Sequence, residues 1–205
     1  MVEEQICARG ISDERLIDAM LRVPRHLFVP ERESFFAYED RPLSIGSGQT
    51  ISQPYIVAEM CAVARIKETD RILEIGTGSG YAAAVLSLLA SEVYTLERLP
   101  SLFEKAERIL RELNYSNVKV LNRDGYLGYG EKAPFDVIML SAAPSRVPRI
   151  LIEQLEEGGR LVAPVGREDQ YLVSFTRTKE GVRFSRHGAV RFVPMKHGLP
   201  GERFA

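Results

Sequence analysis

Two short stretches hold residues whose types and spacing could do chemistry. The first is "LEIGTGSGY", Leu73 to Tyr81, where an apolar run ends in Gly76, Gly78 and Gly80. Glycines there let a chain turn tightly and approach a ligand with no Cβ in the way. The spacing is G-x-G-x-G, not the G-x-G-x-x-G of dinucleotide sites, so a pyrophosphate cradle is weakly supported. Glu74, just before the first glycine, would repel a phosphate and suit a cation. Taken alone, the stretch also fits a tight turn that merely packs a helix on a strand. Two further acids alter that balance. Glu97 closes the next apolar run, 21 residues after Gly76, where an acidic side chain can accept from both ribose hydroxyls. Asp124 ends another run in "NRDGY", with Gly125 permitting a sharp turn. Acids at three successive strand ends beside a glycine turn favour an adenosine-type ligand carrying a positive group. S-adenosyl-L-methionine (AdoMet) fits, with a ribose diol, an ammonium, a sulfonium and no phosphate.

The second stretch is "GSGQTISQPY", Gly46 to Tyr55, polar and placed some twenty residues ahead of the glycine turn. It contains no His, Cys or Lys, and so no strong base. From spacing alone, Ser52 is an N-cap for a helix that takes Pro54 in its first turn.

These residues need elements to position them. "ISDERLIDAML" reads as a short helix with Ser12 as N-cap and Ile11 stapled onto Leu16. "RHLFVPERESFFAYEDRPLSIGSGQTIS" reads as irregular, its Phe28, Phe35, Phe36 and Tyr38 packing on the domain and able to wall a ligand pocket. From about residue 54, helix and strand patterns alternate. "PYIVAEMCAVARI", "YAAAVLSLLA", "SLFEKAERILRELN" and "VPRILIEQLEEGG" read as helices, the last ended by Gly158. "RILEIG", "VYTLER", "VKVLNRD", "FDVIMLSAA" and "RLVAPVG" read as strands. In the amphipathic helix Leu102, Phe103, Ala106, Ile109, Leu110 and Leu113 share one face. The pattern predicts an α/β fold: a doubly wound, mostly parallel Rossmann-like sheet with helices on both faces. "YLVSFTRTKEGVRFSRHGAVRFVPM" then has strand character about the turn "KEG", with at least one strand antiparallel. The tail "KHGLPGERFA" reads as peripheral. One domain over 1–205 is expected, with a helix-and-loop region at 1–53, a nucleotide-binding core at 54–165 and C-terminal strands at 166–205.

Composition bounds the function. The chain has 205 residues, 45% hydrophobic, with 27 Lys and Arg against 28 Asp and Glu. With no basic surplus, nucleic acid is not the expected partner. No apolar run approaches the roughly 20 residues that cross a bilayer, and the charged N-terminus lacks a signal-peptide core. A cytosolic setting is expected, with no membrane partner. Cys7 and Cys61 match no redox or zinc spacing, and Cys61 in "VAEMCAVA" reads as core. His26, His187 and His197 are scattered, so no metal site is expected.

The order strand-"EIGTGSGY", strand-"LER", strand-"RDG", strand-"FDVIMLSAAP" and "LEEGGRLVAPVG" resembles the class I AdoMet-dependent methyltransferases. Adding "VPRHLFVP", "GSGQTISQPYIVAEM" and "AVRFVPM", the chain resembles the protein-L-isoaspartate (D-aspartate) O-methyltransferase family over roughly residues 15 to 196. The resemblance implies methyl transfer from AdoMet to the free carboxylate of L-isoaspartyl and D-aspartyl residues in damaged proteins and peptides. S-adenosyl-L-homocysteine is the product, and the ester starts repair through a succinimide. It implies Glu97 (in "LER" with Arg98) at the ribose, Asp124 and Gly125 at the adenine, and Gly76, Thr77, Gly78 and Gly80 with Glu74 shaping the pocket. Gln49, Thr50, Ile51 and Ser52 would cover the methyl group, with Ser52 the active-site residue. Thr50, Ile51 and Ser52, with Ala142, Ala143 and Pro144 of "SAAP" and Val165 and Gly166 of "PVG", would meet the substrate. Some relatives have a histidine where this chain has Tyr55. A monomer is expected. A carboxylate of pKa about 4 is already ionised at neutral pH, so the nucleophile needs no base. A methyltransferase for another small acid or nucleic acid, an NAD-dependent oxidoreductase and a non-catalytic AdoMet-binding module are the competing readings. G-x-G-x-G and Glu74 speak against the oxidoreductase.

Overall fold

The computed structural model describes residues 1–201. In chain order its elements are α1 (Glu14–Arg22), β1 (Leu43–Gly46), β2 (Gln49–Ile51), α2 (Pro54–Ala64), β3 (Arg71–Ile75), α3 (Tyr81–Ser87) and β4 (Glu92–Glu97). Then follow α4 (Pro100–Glu112), β5 (Val118–Asn122), β6 (Phe135–Leu140), α5 (Arg149–Glu153), β7 (Leu155–Val165), β8 (Gln170–Thr178) and β9 (Gly181–Val190). Short 3-10 turns fill several of the connections.

The central sheet has seven strands in the order β5-β4-β3-β6-β7-β8-β9. From β5 to β7 the pairs are parallel; β8 and β9 are antiparallel to their neighbours. This is the expected α/β architecture. Side chains alternate between faces, so one strand feeds two cores. Ile72, Val93, Val137, Met139 and Val162 pack with residues of α1, α2, α3 and α4. Leu73, Ile75, Leu96, Ile138 and Leu161 pack with Leu151 of α5. The covering is uneven: one face carries four helices, the other a five-residue helix and loops. Among the described residues no helix is long and apolar enough to cross a membrane.

Several local expectations are corrected. The cap of α1 is Asp13, not Ser12; its carboxylate accepts from Arg15 and Leu16 N–H at 3.0 and 3.2 Å. Gly158 does not end a helix. The helix stops at Glu153 and the chain is already in β7 at Leu155, which pairs with Phe135. Between the pairs Phe135–Leu155 and Val137–Arg160 the register shifts, and Gly158 takes a positive φ within the bulged stretch. Sheet pairing here overrides the helical propensity of "ILIEQLEE". The "irregular" N-terminal segment contains a hairpin, β1 with β2, turning at Ser47 and Gly48. Phe28 is buried against Tyr81 (5.8 Å between rings), whereas Phe35 is 89% exposed. "VRFVPM" leaves the sheet after Val190, and Val193 and Met195 bond instead to Ala143, at 2.8 Å each way. The tail is not peripheral: Gly198 is buried, while residues 202–205 of that tail lie outside the described residues.

Gly80 illustrates how local sequence and packing meet. It caps α3 at φ +89, and a Cβ there would stand 3.1 Å from Leu110 of α4. Left-handed backbone costs a non-glycine residue about 1–3 kcal/mol. Gly80→Ala is therefore expected to lower stability by about that amount while leaving ligand affinity nearly unchanged. Chemical denaturation alongside cofactor titration checks both halves.

Candidate active site

Strand order reverses at β3, which has β4 on one side and β6 on the other. In open α/β sheets a crevice opens beyond the carboxyl ends of such strands. β3 delivers Glu74 and Ile75 there and then the glycine turn. Gly76, Gly78 and Gly80 have φ of +98, +56 and +89. The Gly76 N–H is held by the Leu96 carbonyl (2.8 Å) and the Ile75 carbonyl by the Ser141 N–H (2.8 Å), so the turn is tied to both neighbouring strands.

A cavity enclosing about 1000 Å³ of empty space, part of it open to solvent, lies on this turn. Glu74, Gly76, Thr77, Gly78, Glu97, Arg98 and Gly125 line it from the sheet side. Gln49, Thr50, Ile51 and Ser52 line it from the hairpin, and Ala142 from the end of β6. Val193 to Lys196 line it from the chain beyond β9. Cβ atoms at Gly76 and Gly78 would lie 3.5 Å from Ser141 and 3.4 Å from Ile45, so both turn positions are already close to their neighbours.

Two buried acids, Glu74 and Glu97, stand on the sheet-side wall; Arg98 and Lys196 also line the cavity. Glu74 is fully buried; its carboxylate accepts from Thr95 Oγ1 at 2.6 Å and Ser141 Oγ at 3.2 Å. Burial pushes its pKa up to about 7, against the two hydroxyl bonds that lower it. Glu97 accepts from the Gly78 N–H and the Leu99 N–H, each at 2.9 Å. Each of its oxygens keeps a second lone pair for a diol. Neither acid has an ion-pair partner among the described residues. Buried acids without cations suit a cationic ligand, and the residues present fit an AdoMet-type cofactor.

Some predicted residues are not on this wall. Gly80 faces Leu110 and Ala106 of α4. Asp124 is held off it: its oxygens accept from the Tyr126 N–H (2.9 Å) and the Gly198 N–H (2.7 Å). Arg98 donates to the Gly198 carbonyl (2.9 Å), and His197 stacks on Tyr126. These contacts pin residues 193–198 as a strap over the cavity. Ala143 spends both main-chain groups on that strap. Pro144, Val165 and Gly166 lie off the wall, with the Gly166 N–H donating to the Pro144 carbonyl at 3.1 Å. Ser52 is not the cap of α2: Gln53 is, with no side-chain capping bond. Tyr55 packs beneath the Arg9 guanidinium at 4.6 Å, off the cavity. Phe28, Phe35, Phe36 and Tyr38 do not wall it either. Sequence reasoning missed Val57 and Met60 of α2, Tyr81 and Ala82 of α3, and the strap residues. Only the extended look of "VRFVPM" hinted at the last.

A second chamber adjoins the first. Pro42, Gln53, Ile56 and residues 189–193 line it, and it spans about 910 Å³ of empty space, part of it open to solvent. Thr50, Ser52, Ser141 and Val193 line both chambers.

The protein-L-isoaspartate(D-aspartate) O-methyltransferase (PCMT) family model matches residues 1–199. The chain belongs to this family. It is 51% identical over 204 residues to a protein-L-isoaspartate O-methyltransferase of Gloeobacter violaceus, covering 98% of this chain and 100% of that one. A protein of the same name from Methanoculleus marisnigri is also 51% identical, over 98% and 93% of the two chains. Among solved structures, a protein-L-isoaspartate O-methyltransferase superposes with TM-score 0.86 at 29% identity, over 97% of this chain and 67% of the other. Another, described as a beta-aspartate methyltransferase from Plasmodium falciparum in complex with S-adenosyl-L-homocysteine, gives 0.83 at 28%, over 95% and 96%.

The raised pKa of Glu74 has a measurable consequence. In the ligand-free fold, burying an ionised Glu74 costs stability progressively as pH rises from 4.5 to about 7. A cation beside it favours the ionised form, so binding below pH 7 must expel a proton. AdoMet affinity is expected to fall, by up to about tenfold per pH unit, as pH drops below 7. Calorimetry in buffers of different ionisation enthalpy reads the released proton, and Glu74→Gln should abolish the release.

Proposed function

We propose that the chamber on the glycine turn holds AdoMet and the adjoining one the damaged residue of a peptide. The protein transfers the methyl group of AdoMet to the free carboxylate of L-isoaspartyl and D-aspartyl residues. The observation that supports this arrangement is the shared wall. Thr50, Ser52, Ser141 and Val193 border both chambers, so a methyl donor and an acceptor can meet there.

When bound, AdoMet supplies an electrophilic methyl group on a positively charged sulfur. The chain's own groups divide the work of binding. Glu97 takes the ribose hydroxyls, and the Gly76–Gly78 turn lets the nucleoside lie against backbone. Glu74, buried beyond the turn, favours the cofactor's positive groups. Asp124 acts on the adenine end indirectly, by holding the strap next to Gly125.

At the shared wall no proton has to move. A carboxylate oxygen forms the new bond to carbon, the carbon–sulfur bond breaks, and its electron pair stays on sulfur. Opposite charges cancel as this happens, so the remaining barrier is largely one of alignment. Holding two reactants in line is worth roughly 7–11 kcal/mol at its limit. Ser52 and Thr50 can hold a carboxylate by hydrogen bonds without adding a full charge that would compete with the sulfonium. Among the described residues no protein group accepts from or donates to the Ser52 hydroxyl. The structure thus removes the competing capping role and favours Ser52 as the orienting residue.

Methyl-labelled AdoMet offered with paired peptides, differing only in Asp against isoAsp, tests the activity. Label should enter only the isoAsp peptide; equal labelling, or none, overturns the reading. Ser52→Ala should lower kcat roughly 10–100-fold, the scale of a small misalignment, with AdoMet affinity retained. Glu97→Ala should do the reverse, weakening AdoMet binding first.

A further inference from the structure

Arg25, in the "VPRHLFVP" motif, lines neither chamber and is fully buried. It sits in a 3-10 turn, Arg25–Phe28, ahead of the hairpin. A buried guanidinium is normally paired with a carboxylate, because isolating it from water costs several kcal/mol. Among the described residues Arg25 has no such pair. Its Nε donates to the Ala37 carbonyl at 2.7 Å and its Nη2 to the Ser52 carbonyl at 2.8 Å. Its plane lies 4.7 Å over the Tyr81 ring, and its Nη1 is buried with no partner. Burial lowers its pKa to about 10, so it stays charged at neutral pH.

Two of the three contacts fall on the site and one just ahead of it. Ala37 precedes the hairpin, and Ser52 follows it on the shared wall. Tyr81 opens α3 directly after the glycine turn and lines the cofactor chamber. The Ser47–Gly48 tip needs positive φ at both residues, and β2 has only three residues to hold it. Little else of the hairpin's own pairing reaches Ser52. A planar fork can grip two carbonyls at fixed angles, which an ammonium cannot.

We propose that Arg25 is a positioning residue for methyl transfer: its fork, spanning the Ala37 and Ser52 carbonyls and braced on Tyr81, sets where the Ser52 hydroxyl stands relative to the cofactor. The inference rests on the orienting role of Ser52. A charge kept unpaired in the interior at a stability cost is accounted for by this alignment. The orphan Nη1 keeps the guanidinium from being a fully satisfied packing element.

A double-mutant cycle separates positioning from mere support of the fold. Arg25→Lys keeps charge and length but loses the fork, and rates are expressed per AdoMet-binding site so that unfolded protein does not count. In the wild-type background kcat for an isoaspartyl peptide should fall roughly tenfold or more, with AdoMet Kd little changed. In the Ser52→Ala background the same change should cost less than about twofold, because the group to be positioned is gone. Equal losses in both backgrounds, or an unchanged kcat, overturn the proposal. Arg25→Gln serves if the lysine variant does not fold; if neither binds AdoMet, Arg25 is a folding residue and the proposal fails. Ser52→Ala with wild-type kcat would instead overturn the role of Ser52, leaving the methyltransferase activity itself intact.

Discussion

Beyond the end of β3 the chain must go one way to reach β4 and another, later, to reach β6. No crossover covers the gap between them. The crevice is therefore a consequence of topology, and every other feature of the site is arranged around it. Three glycines in positive φ let the chain leave β3 without filling that gap. Main-chain bonds from Gly76 to Leu96 and from Ser141 to Ile75 lock the turn between the two flanking strands. The ligand-facing backbone is thus as firmly held as the sheet itself.

Charge is organised around the same gap. Glu74 and Glu97 lie at adjacent strand ends, hydrogen-bonded by hydroxyls and backbone N–H groups and not by cations. Burial pushes the pKa of Glu74 up to about 7, so near pH 7 it is about half ionised. A cationic ligand completes this arrangement. The opposite wall carries serine, threonine and backbone, which suits an acceptor that arrives already negative. Donor and acceptor each bring a charge, and the protein supplies alignment between them.

The roof comes from the two ends of the chain. The hairpin before α2 brings Gln49 to Ser52, and the strap after β9 brings Val193 to Lys196. Neither belongs to the central sheet. Each is held by groups placed far away in sequence: Arg25 on one side, Ala143, Asp124 and Arg98 on the other. The acids and loops named from sequence therefore divide into those that line the chamber and those that hold its lining. Asp124, Ala143 and Gly80 are of the second kind.

The sequence by itself determined the alternating core, the glycine turn, the acids at the strand ends and the polar stretch ahead of them. Each depends on near neighbours: apolar runs of strand length, a backbone that only glycine accepts, an acid next to a turn. The helix caps and the end of α5 were decided elsewhere. "ILIEQLEE" favours a helix locally, and pairing of Leu155 with Phe135 turns its last three residues into strand. Tertiary structure alone decided that Asp124 would serve the strap, that "VRFVPM" would close over Ala143, and that Arg25 would grip Ser52. Those contacts join residues 74, 52 and 27 positions apart, and no local propensity or period encodes which distant carbonyl or N–H a side chain will meet.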